Sequence, residues 1–304
     1  MKKRLFVTGL SGFVGQHIQS RLRADASGWE LLPVAERYDL SQPQSLDGLW
    51  PELPDAVIHL AGQTFVPEAF RDPANTFNIN LLGTLNLLQA LKARGFNGTF
   101  LYVSSGDVYG QVGEPELPIT ELQPPCPRNP YAVSKLSAEF LSLQWGLSEG
   151  WSVLVARPFN HIGAGQKDSF VIASAARQIC RIKQGLQAPQ LEVGDIDVTR
   201  DFLDVGDVVS AYLALLEKGA PGQAYNICSG REQSIRSLIE QMGDLAQVDV
   251  QLVQDPARLR RADQRRVCGS HTKLAQATGW TPGITTQQSL RAILSDWEKR
   301  VNEE

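Results

Sequence analysis

The chain has 304 residues, enough for one large α/β domain with a smaller appendage around a single main core. Its formal net charge of −4 gives no field that would attract nucleic acid or anionic lipid, so an anionic ligand must be met by a few local arginines. We therefore expect small-molecule ligands, with no nucleic acid and no membrane among the partners.

Short apolar runs alternate with longer stretches of helical periodicity as far as Arg157. This alternation predicts βαβ units on a parallel sheet. The predicted strands are Leu5–Thr8, Trp29–Val34, Ala56–Leu60, Thr99–Ser104 and Ser152–Ala156. The predicted helices are Asn80–Ala93, Ala132–Trp145 and Phe170–Gln184, and Pro130 is placed to open the second of them.

Gly9, Gly12 and Gly15 follow the first predicted strand and open a helix, with Phe13 and Val14 between the last two. A side chain at the glycines would obstruct a tight turn or the close approach of a pyrophosphate, whose charge the helix N-terminus favours. The pattern predicts a dinucleotide site, although taken alone it also fits an ordinary strand-to-helix loop. The predicted fold class is α/β, a Rossmann-type doubly wound parallel sheet with a smaller C-terminal α/β substrate-binding part.

The adenosine ribose of a dinucleotide is expected near the end of the second strand, where Glu36 and Arg37 are adjacent. Glutamate favours NAD(H) and arginine favours NADP(H), while a solvated loop pair explains both residues equally well. The cofactor is therefore NADP(H) or NAD(H), with the preference open. The further cofactor-binding candidates, all at or after the carboxyl ends of strands, are Arg37, Asp39, Leu40, Leu60, Ala61 and Gly62. His59 fits a packing residue at a strand end better than a catalyst.

Tyr131 and Lys135 are four residues apart, which places them on one face of a helix. A free tyrosine has a pKa of about 10, and a neighbouring ammonium lowers that pKa toward neutrality. Because this spacing is common in surface helices, Ser105 decides the interpretation. It follows an apolar strand at the carboxyl edge of the sheet, where its hydroxyl can orient a carbonyl for proton transfer from Tyr131.

The four cysteines, Cys126, Cys180, Cys228 and Cys268, are far apart and show no metal-ligand spacing. This usage is typical of unpaired thiols in a reducing compartment, and it predicts no metal site. The basic N-terminus leads into an apolar stretch too short for a signal peptide. We therefore expect a cytoplasmic protein.

The chain resembles the extended short-chain dehydrogenase/reductases, and within them the enzymes that act on nucleotide sugars. The resemblance covers almost the whole length. Its motifs include Thr8 to Gly15, His59 to Gly62, Asn80 with Gly83-Thr84, Ser104-Ser105 with Tyr109-Gly110, Tyr131 to Lys135, Arg157 to His161, Arg200 to Phe202 with Asp204 and Asp207, Tyr225-Asn226, and Thr278-Gly279-Trp280 with Pro282. The resemblance implies that Ser105 and Tyr131 hold a sugar carbonyl while Lys135 tunes the phenol and, with Tyr131, contacts the cofactor.

The residues after Ser105 bear on the type of reaction. Hexose 4,6-dehydratases of this family carry Thr-Asp-Glu or Thr-Ser-Glu there, whereas this chain has Gly106 and the shorter Asp107. The resemblance is strongest to the reductases that convert the C4 keto group of GDP-4-dehydro-6-deoxy-D-mannose to give GDP-D-rhamnose, and the run from Arg157 to Gln166 carries it. A GDP-mannose 4,6-dehydratase or a nucleotide-sugar 4-epimerase is the alternative enzyme, and a non-catalytic dinucleotide-binding regulator is the alternative of another class.

The same resemblance implies substrate contacts by Ser105, Asp107, Asn160, Arg200, Arg260 and Asp263. Arginine suits the diphosphate of a GDP-sugar because its planar fork binds phosphate oxygens in pairs. The basic run from Arg258 to Arg266, which includes Arg261, fits a solvated and salt-bridged surface as well. His161 fits a structural histidine better than a catalytic one.

Two larger-scale expectations complete the prediction. Residues 1–160 form the dinucleotide-binding domain, with some later segments returning to it, and residues 161–304 mainly bind the nucleotide sugar. The helices Asn80–Ala93 and Ala132–Trp145 resemble those that form a four-helix interface in this family, which implies a homodimer.

Overall fold

The computed structural model describes residues 2–24, 28–34, 37–256 and 264–304. The strands are β1 (Lys3–Thr8), β2 (Trp29–Leu31), β3 (Ala56–His59), β4 (Thr99–Val103), β5 (Ser152–Pro158), β6 (Asn160–Ile162), β7 (Gln190–Val193), β8 (Thr199–Asp204), β9 (Ala224–Ile227), β10 (Glu232–Ser234) and β11 (Gln251–Gln254). The α-helices are α1 (Phe13–Ala24), α2 (Val66–Arg71), α3 (Pro73–Phe77), α4 (Gly83–Ala93), α5 (Pro130–Glu149), α6 (Val171–Lys183), α7 (Val205–Lys218), α8 (Ile235–Ala246), α9 (Thr272–Thr278) and α10 (Thr286–Asn302).

The main sheet has six parallel strands in the order β2-β1-β3-β4-β5-β9. Thr8 pairs with His59, and His59 pairs with Tyr102, so the carboxyl ends of β1, β3 and β4 lie side by side. The order reverses direction at β1, with β2 on one side and β3 on the other. Ligands of such sheets bind at the carboxyl edge beside this reversal.

Helices cover both faces of the sheet because its strands are apolar on both sides. Leu5 and Val7 of β1 face a core built with α1 and α7, and the intervening Phe6 faces a core built with α4 and α5. This is the Rossmann-type, doubly wound α/β arrangement that the alternating pattern predicts. No helix within the described ranges combines the length and the apolar character needed to cross a bilayer.

The later part of the chain adds a three-stranded sheet, β10-β8-β6, and a two-stranded sheet, β11-β7. A separate apolar cluster lies among α6, α8 and α10, with Ile172, Leu238 and Leu290 fully buried in it. The strand β9 also comes from this later part of the chain, but it pairs with β5 and so extends the main sheet.

Several element bounds differ from the sequence prediction. The second strand ends at Leu31, before the predicted Val34, although the Leu32 N–H still donates to the Leu5 carbonyl over 2.8 Å. The predicted helix Asn80–Ala93 begins instead as a π-helical turn, Asn78–Leu82, that leads into α4. The helix after Asn129 is longer than predicted and continues to Glu149.

Candidate active site

The glycine-spaced turn between β1 and α1 leaves no room for side chains. Gly9 has φ of +71°, and a Cβ there would lie 3.0 Å from the backbone nitrogen of Ala61. A Cβ on Gly15 would lie 2.6 Å from Cα of Leu10. The Gly12 N–H donates to the Gly9 carbonyl over 2.9 Å, which closes the turn. The chain therefore approaches closely at the N-terminus of α1, the geometry that admits a pyrophosphate.

A chain of hydrogen bonds locks the loops beside this turn. Thr84 Oγ1 donates to the Asn80 carbonyl over 2.6 Å and lies 2.9 Å from His59 Nε2, so the imidazole must donate through Nε2. His59 Nδ1 then accepts from Thr8 Oγ1 over 2.7 Å, while that oxygen accepts from the Ala61 N–H. Burial and the charge of a nearby lysine lower the pKa of His59 to about 3, so it stays neutral. His59 is a structural residue, in agreement with the packing interpretation.

Asn80 lies inside the π-helical turn and joins two loops of the site. Its Oδ1 accepts from the Gln63 N–H over 2.7 Å, and its Nδ2 donates to the Gln63 carbonyl and to Ser134 Oγ. Ser134 Oγ donates in turn to the Tyr131 carbonyl over 2.7 Å. Asn80 is 2 % exposed and uses its amide fully, so it fixes the start of α5 against the loop after β3. The sequence prediction noted Asn80 only as a family match.

Ser105 and Tyr131 are brought together as predicted. Ser105 follows β4 with extended backbone, its hydroxyl accepts from the Asp107 N–H over 3.1 Å, and it lies close enough to the Tyr131 phenol to affect the pKa of that group. Burial raises the pKa of Tyr131 above its usual value, the charge of Asp107 raises it further, and the Ser105 hydroxyl lowers it. The expected downward shift of the Tyr131 pKa was wrong, because burial of the phenol and the charge of Asp107 both raise the pKa and outweigh the effect of the Ser105 hydroxyl.

Lys135 lies on the same face of α5, one turn after Tyr131. Its side chain is buried, and its Nζ lies 4.6 Å above the ring centroid of Tyr102. Burial lowers the pKa of Lys135 to about 7, and the charge of Glu139 opposes that shift.

Glu139 and Arg157 form a buried ion pair that the sequence prediction missed. The Arg157 Nε and Nη2 atoms donate to the two carboxylate oxygens over 3.2 Å and 2.5 Å. Arg157 Nη1 donates to the Tyr109 hydroxyl over 2.9 Å, and that hydroxyl donates to Asn226 Oδ1 over 2.7 Å. The network ties α5 to β5 and β9 behind the catalytic face. The motifs contained these residues, but no sequence pattern links positions 18 residues apart on different elements.

The predicted cofactor residues of the second loop differ in exposure. Arg37 and Asp39 are exposed, and the Asp39 carboxylate accepts two hydrogen bonds from Ser41. Leu40 is buried among core residues, so only its backbone is available to a ligand. Glu36 lies outside the described residues. Of the other candidates, Phe13 and Val14 begin α1, and Leu60, Ala61 and Gly62 follow β3.

Phe13 connects the glycine turn to the loop after β6. Its ring stacks on His161 with the centroids 6.1 Å apart and the planes 3° apart. His17, one turn along α1, lies 2.8 Å from the Ala164 carbonyl through Nε2. Burial lowers the pKa of His161, which therefore stays neutral near pH 7. His161 therefore packs beside the glycine-spaced turn, in agreement with its interpretation as a structural residue.

Two predicted substrate residues lie on neighbouring strands of the second sheet. Asn160 is exposed on β6, and Arg200 lies on β8 and donates from Nη1 to the Thr199 carbonyl over 2.8 Å. Beside Arg200, Asp201 is fully buried and accepts from the N–H groups of Ser229, Gly230 and Gly269. Burial raises the pKa of Asp201. The Asp201 carboxylate, which the site prediction omitted, therefore fixes β8 beside Arg200 to the backbone of residues 229, 230 and 269.

The further predicted substrate residues include Asp107, Arg260 and Asp263. Asp107 is exposed beside Ser105. Arg266 is engaged by Glu232 and Glu114, as the salt-bridged interpretation of the basic run expects. The remaining candidates in that run, Arg258, Arg260, Arg261 and Asp263, lie outside the described residues.

Comparisons with known proteins agree with this geometry. The family model described as GDP-mannose 4,6 dehydratase matches residues 33–293. The GDP-6-deoxy-D-mannose reductase of Pseudomonas aeruginosa is 74% identical over 304 residues, with 100% of each chain covered. The structure of RMD from Pseudomonas aeruginosa complexed with NADPH has a TM-score of 0.96 at 73% identity, covering 98% of this chain and 100% of that one.

A more distant relative is the GDP-6-deoxy-D-talose 4-dehydrogenase of Aggregatibacter actinomycetemcomitans, which is 28% identical with 97% of each chain covered. The similar proteins therefore cover nearly the full length of this chain. The chain belongs to the GDP-mannose 4,6-dehydratase family, a group of the extended short-chain dehydrogenase/reductases.

Proposed function

We propose that the protein reduces the C4 keto group of GDP-4-dehydro-6-deoxy-D-mannose with NADPH and forms GDP-D-rhamnose. The observation that carries this proposal is the Ser105 hydroxyl beside a buried, neutral Tyr131 phenol at the carboxyl edge of the sheet. Full-length identity of 74% to a GDP-6-deoxy-D-mannose reductase supports the choice of substrate. The enzyme class is NAD(P)-dependent oxidoreductase.

The residues present fit a dinucleotide, because Cβ atoms on Gly9 and Gly15 would fill the turn before α1. NADPH is the proposed cofactor, since the similar reductase structure is complexed with it. When bound, NADPH supplies the hydride that C4 of the sugar accepts. The proposed cofactor-binding residues are Gly9, Gly12, Phe13, Val14, Gly15, Arg37, Asp39, Leu40, Leu60, Ala61, Gly62, Tyr131 and Lys135.

Tyr131 donates its phenolic proton to the O4 atom of the sugar in the proposed reaction. Reduction starts from the neutral phenol, so the raised pKa of Tyr131 keeps the proton available until O4 gains negative charge. Ser105 holds O4 by a hydrogen bond, and Lys135 stabilises the phenolate that remains. Hydride to C4 and a proton to O4 complete the alcohol.

The substrate contacts that we propose are Ser105, Asp107, Asn160, Arg200, Arg260 and Asp263. Arg200 is assigned to the diphosphate because it lies on β8, the strand that Asp201 anchors. In this arrangement residues 1–160 mainly bind the cofactor and residues 161–304 mainly bind the GDP-sugar.

The second candidate is dehydration of GDP-mannose, which the description of the matching family model favours. Removal of water across C5 and C6 needs a further acid or base beside Ser105. Gly106 supplies no side chain, and a Cβ there would lie 3.1 Å from the Phe159 ring. The lack of a side chain at position 106, together with the shorter Asp107 where dehydratases carry glutamate, favours reduction.

A homodimer and a cytoplasmic location belong to the proposal. The dimer is supported by apolar side chains exposed on or beside α4 and α5, which include Leu82, Val133, Phe140 and Leu147. Contiguous exposed apolar side chains mark interaction surfaces. The cytoplasmic location is supported by free thiols at Cys126, Cys180, Cys228 and Cys268.

The proposed function is tested by incubating the protein and NADPH with GDP-4-dehydro-6-deoxy-D-mannose, and separately with GDP-mannose. We expect NADPH consumption only with the keto sugar. In the NMR spectrum of the product, an axial H4 with a large coupling to H3 identifies GDP-D-rhamnose. An equatorial H4 identifies the 6-deoxy-talose epimer, and conversion of GDP-mannose without NADPH consumption identifies the dehydratase.

A further inference from the structure

The Lys135 ammonium occupies a buried position between α5 and β4, with 4 % of the residue exposed. A buried charge is costly unless neighbouring groups compensate for the lost water. The Tyr102 ring lies directly beneath this ammonium, with its centroid 4.6 Å from Nζ. The position of that ring on β4, below Ser105, places the contact just behind the proposed reacting groups.

The titratable groups around Lys135 do not fully compensate for the lost hydration of its ammonium, so the Tyr102 ring makes a significant contribution. Glu139, on the same helix, is already paired with Arg157 through two hydrogen bonds. His59, which approaches from β3, is a neutral imidazole because its pKa is about 3. Tyr131 is also neutral, since burial raises the pKa of its phenol.

The Tyr102 ring itself is fully buried, and burial raises the pKa of its phenol well above the usual value. Its hydroxyl has no hydrogen-bond partner among residues 2–24, 28–34, 37–256 and 264–304. A neutral aromatic face attracts a cation through its quadrupole, and the attraction grows when water is excluded. The face of the ring, and not the hydroxyl, is thus the part that contacts the lysine.

We propose that Tyr102 is a positioning residue whose ring face holds the Lys135 ammonium in place and keeps it charged for the reductase reaction. Tyr102 acts through Lys135 and does not contact the substrate. The inference rests on the proposed function, in which the ammonium stabilises the Tyr131 phenolate. Activity should therefore fall as pH rises through the pKa of Lys135, which is about 7.

The test compares Tyr102→Leu with Tyr102→Phe, which keeps the ring and removes only the hydroxyl. Phe100→Leu is the matched control, because Phe100 is equally buried on β4 and lies against His59. The pH profile of kcat/KM for the keto sugar is measured at saturating NADPH. A second readout is the pH dependence of NADPH affinity, followed by fluorescence.

We expect the basic limb of the Tyr102→Leu profile to move to lower pH by roughly 0.4 to 1.5 units, the shift that corresponds to loss of a buried cation–π contact. Tyr102→Phe and Phe100→Leu should retain the wild-type limb. Tyr102→Met, which preserves more volume, replaces the leucine variant if that variant does not fold.

An unshifted limb in Tyr102→Leu, or an equal shift in Phe100→Leu, would overturn the role of Tyr102. Failure of wild-type protein to reduce the keto sugar would instead overturn the proposed function. The NADPH affinity profile then still tests the contact between Tyr102 and Lys135, since it needs no turnover. An identical affinity profile in wild type and Tyr102→Leu would overturn the inference by itself.

Discussion

Replacing Arg157 with methionine should destabilise the fold more than any surface change of equal size. The Glu139 side chain is 1% exposed, and Arg157→Met removes both of its hydrogen-bond donors from Arg157 while leaving the carboxylate buried. Breaking a buried ion pair in this way costs about 3–5 kcal/mol. At about 2–4 °C of melting temperature per kcal/mol, the expected fall is roughly 6–20 °C.

The double variant Glu139→Met/Arg157→Met separates the contribution of the ion pair to stability from the contribution of side-chain packing. It leaves neither charge of this pair buried without its partner, and the Tyr109 hydroxyl can still donate to Asn226. We expect the double variant to melt at a higher temperature than Arg157→Met alone, because apolar replacement of both partners is often nearly neutral.

Differential scanning calorimetry measures these changes, with Arg236→Met as the control. Arg236 forms an exposed pair with Asp197, and its loss should leave the melting temperature almost unchanged. A stabilising role for the buried pair is refuted if Arg157→Met has the melting temperature of the wild type. It is also refuted if the double variant has a lower melting temperature than Arg157→Met.

Three further variants probe the site. Tyr131→Phe should lower kcat by about 10²–10⁴-fold without changing NADPH affinity, because it removes the proton donor and keeps the ring; equal turnover would exclude Tyr131 as the acid. Gly15→Ala should weaken NADPH binding by roughly tenfold or more because its Cβ meets backbone, whereas Gly28→Ala, with no atom within 4 Å of its Cβ, should bind normally. Isothermal titration calorimetry measures the NADPH affinity of both variants. Equal affinities would contradict the proposal that the glycine-spaced turn between β1 and α1 binds the cofactor. Arg200→Ala should raise KM for the GDP-sugar with little change in kcat, since the diphosphate does not react; an unchanged KM would place Arg200 away from it.

The alternation of apolar runs predicted the main sheet because strands buried on both faces form short continuous apolar segments. β1, β3, β4 and β5 follow this rule closely. The second strand was predicted too long because Leu32 and Val34 look like strand residues, whereas the pairing with β1 ends at Leu31. The strand β9 was not among the predicted strands, because it forms by long-range pairing with β5, which local periodicity does not reveal.

The proximity of Ser105 to Tyr131 could be predicted because both belong to motifs whose spacing matches a strand end and a helix face. The direction of the Tyr131 pKa could not, since it depends on how completely the surrounding chain excludes water. The same holds for Asn80, whose π-helical turn serves contacts with Gln63 and Ser134 that periodicity cannot encode.

The most direct test of the central claim uses NADPH that carries deuterium at the transferring position of the nicotinamide. The protein is incubated with GDP-4-dehydro-6-deoxy-D-mannose, and the product is analysed by NMR together with the amount of NADPH oxidised. The account predicts one deuterium at C4 of GDP-D-rhamnose for each NADPH oxidised. A product without deuterium at C4, or consumption of the sugar without oxidation of NADPH, would contradict it.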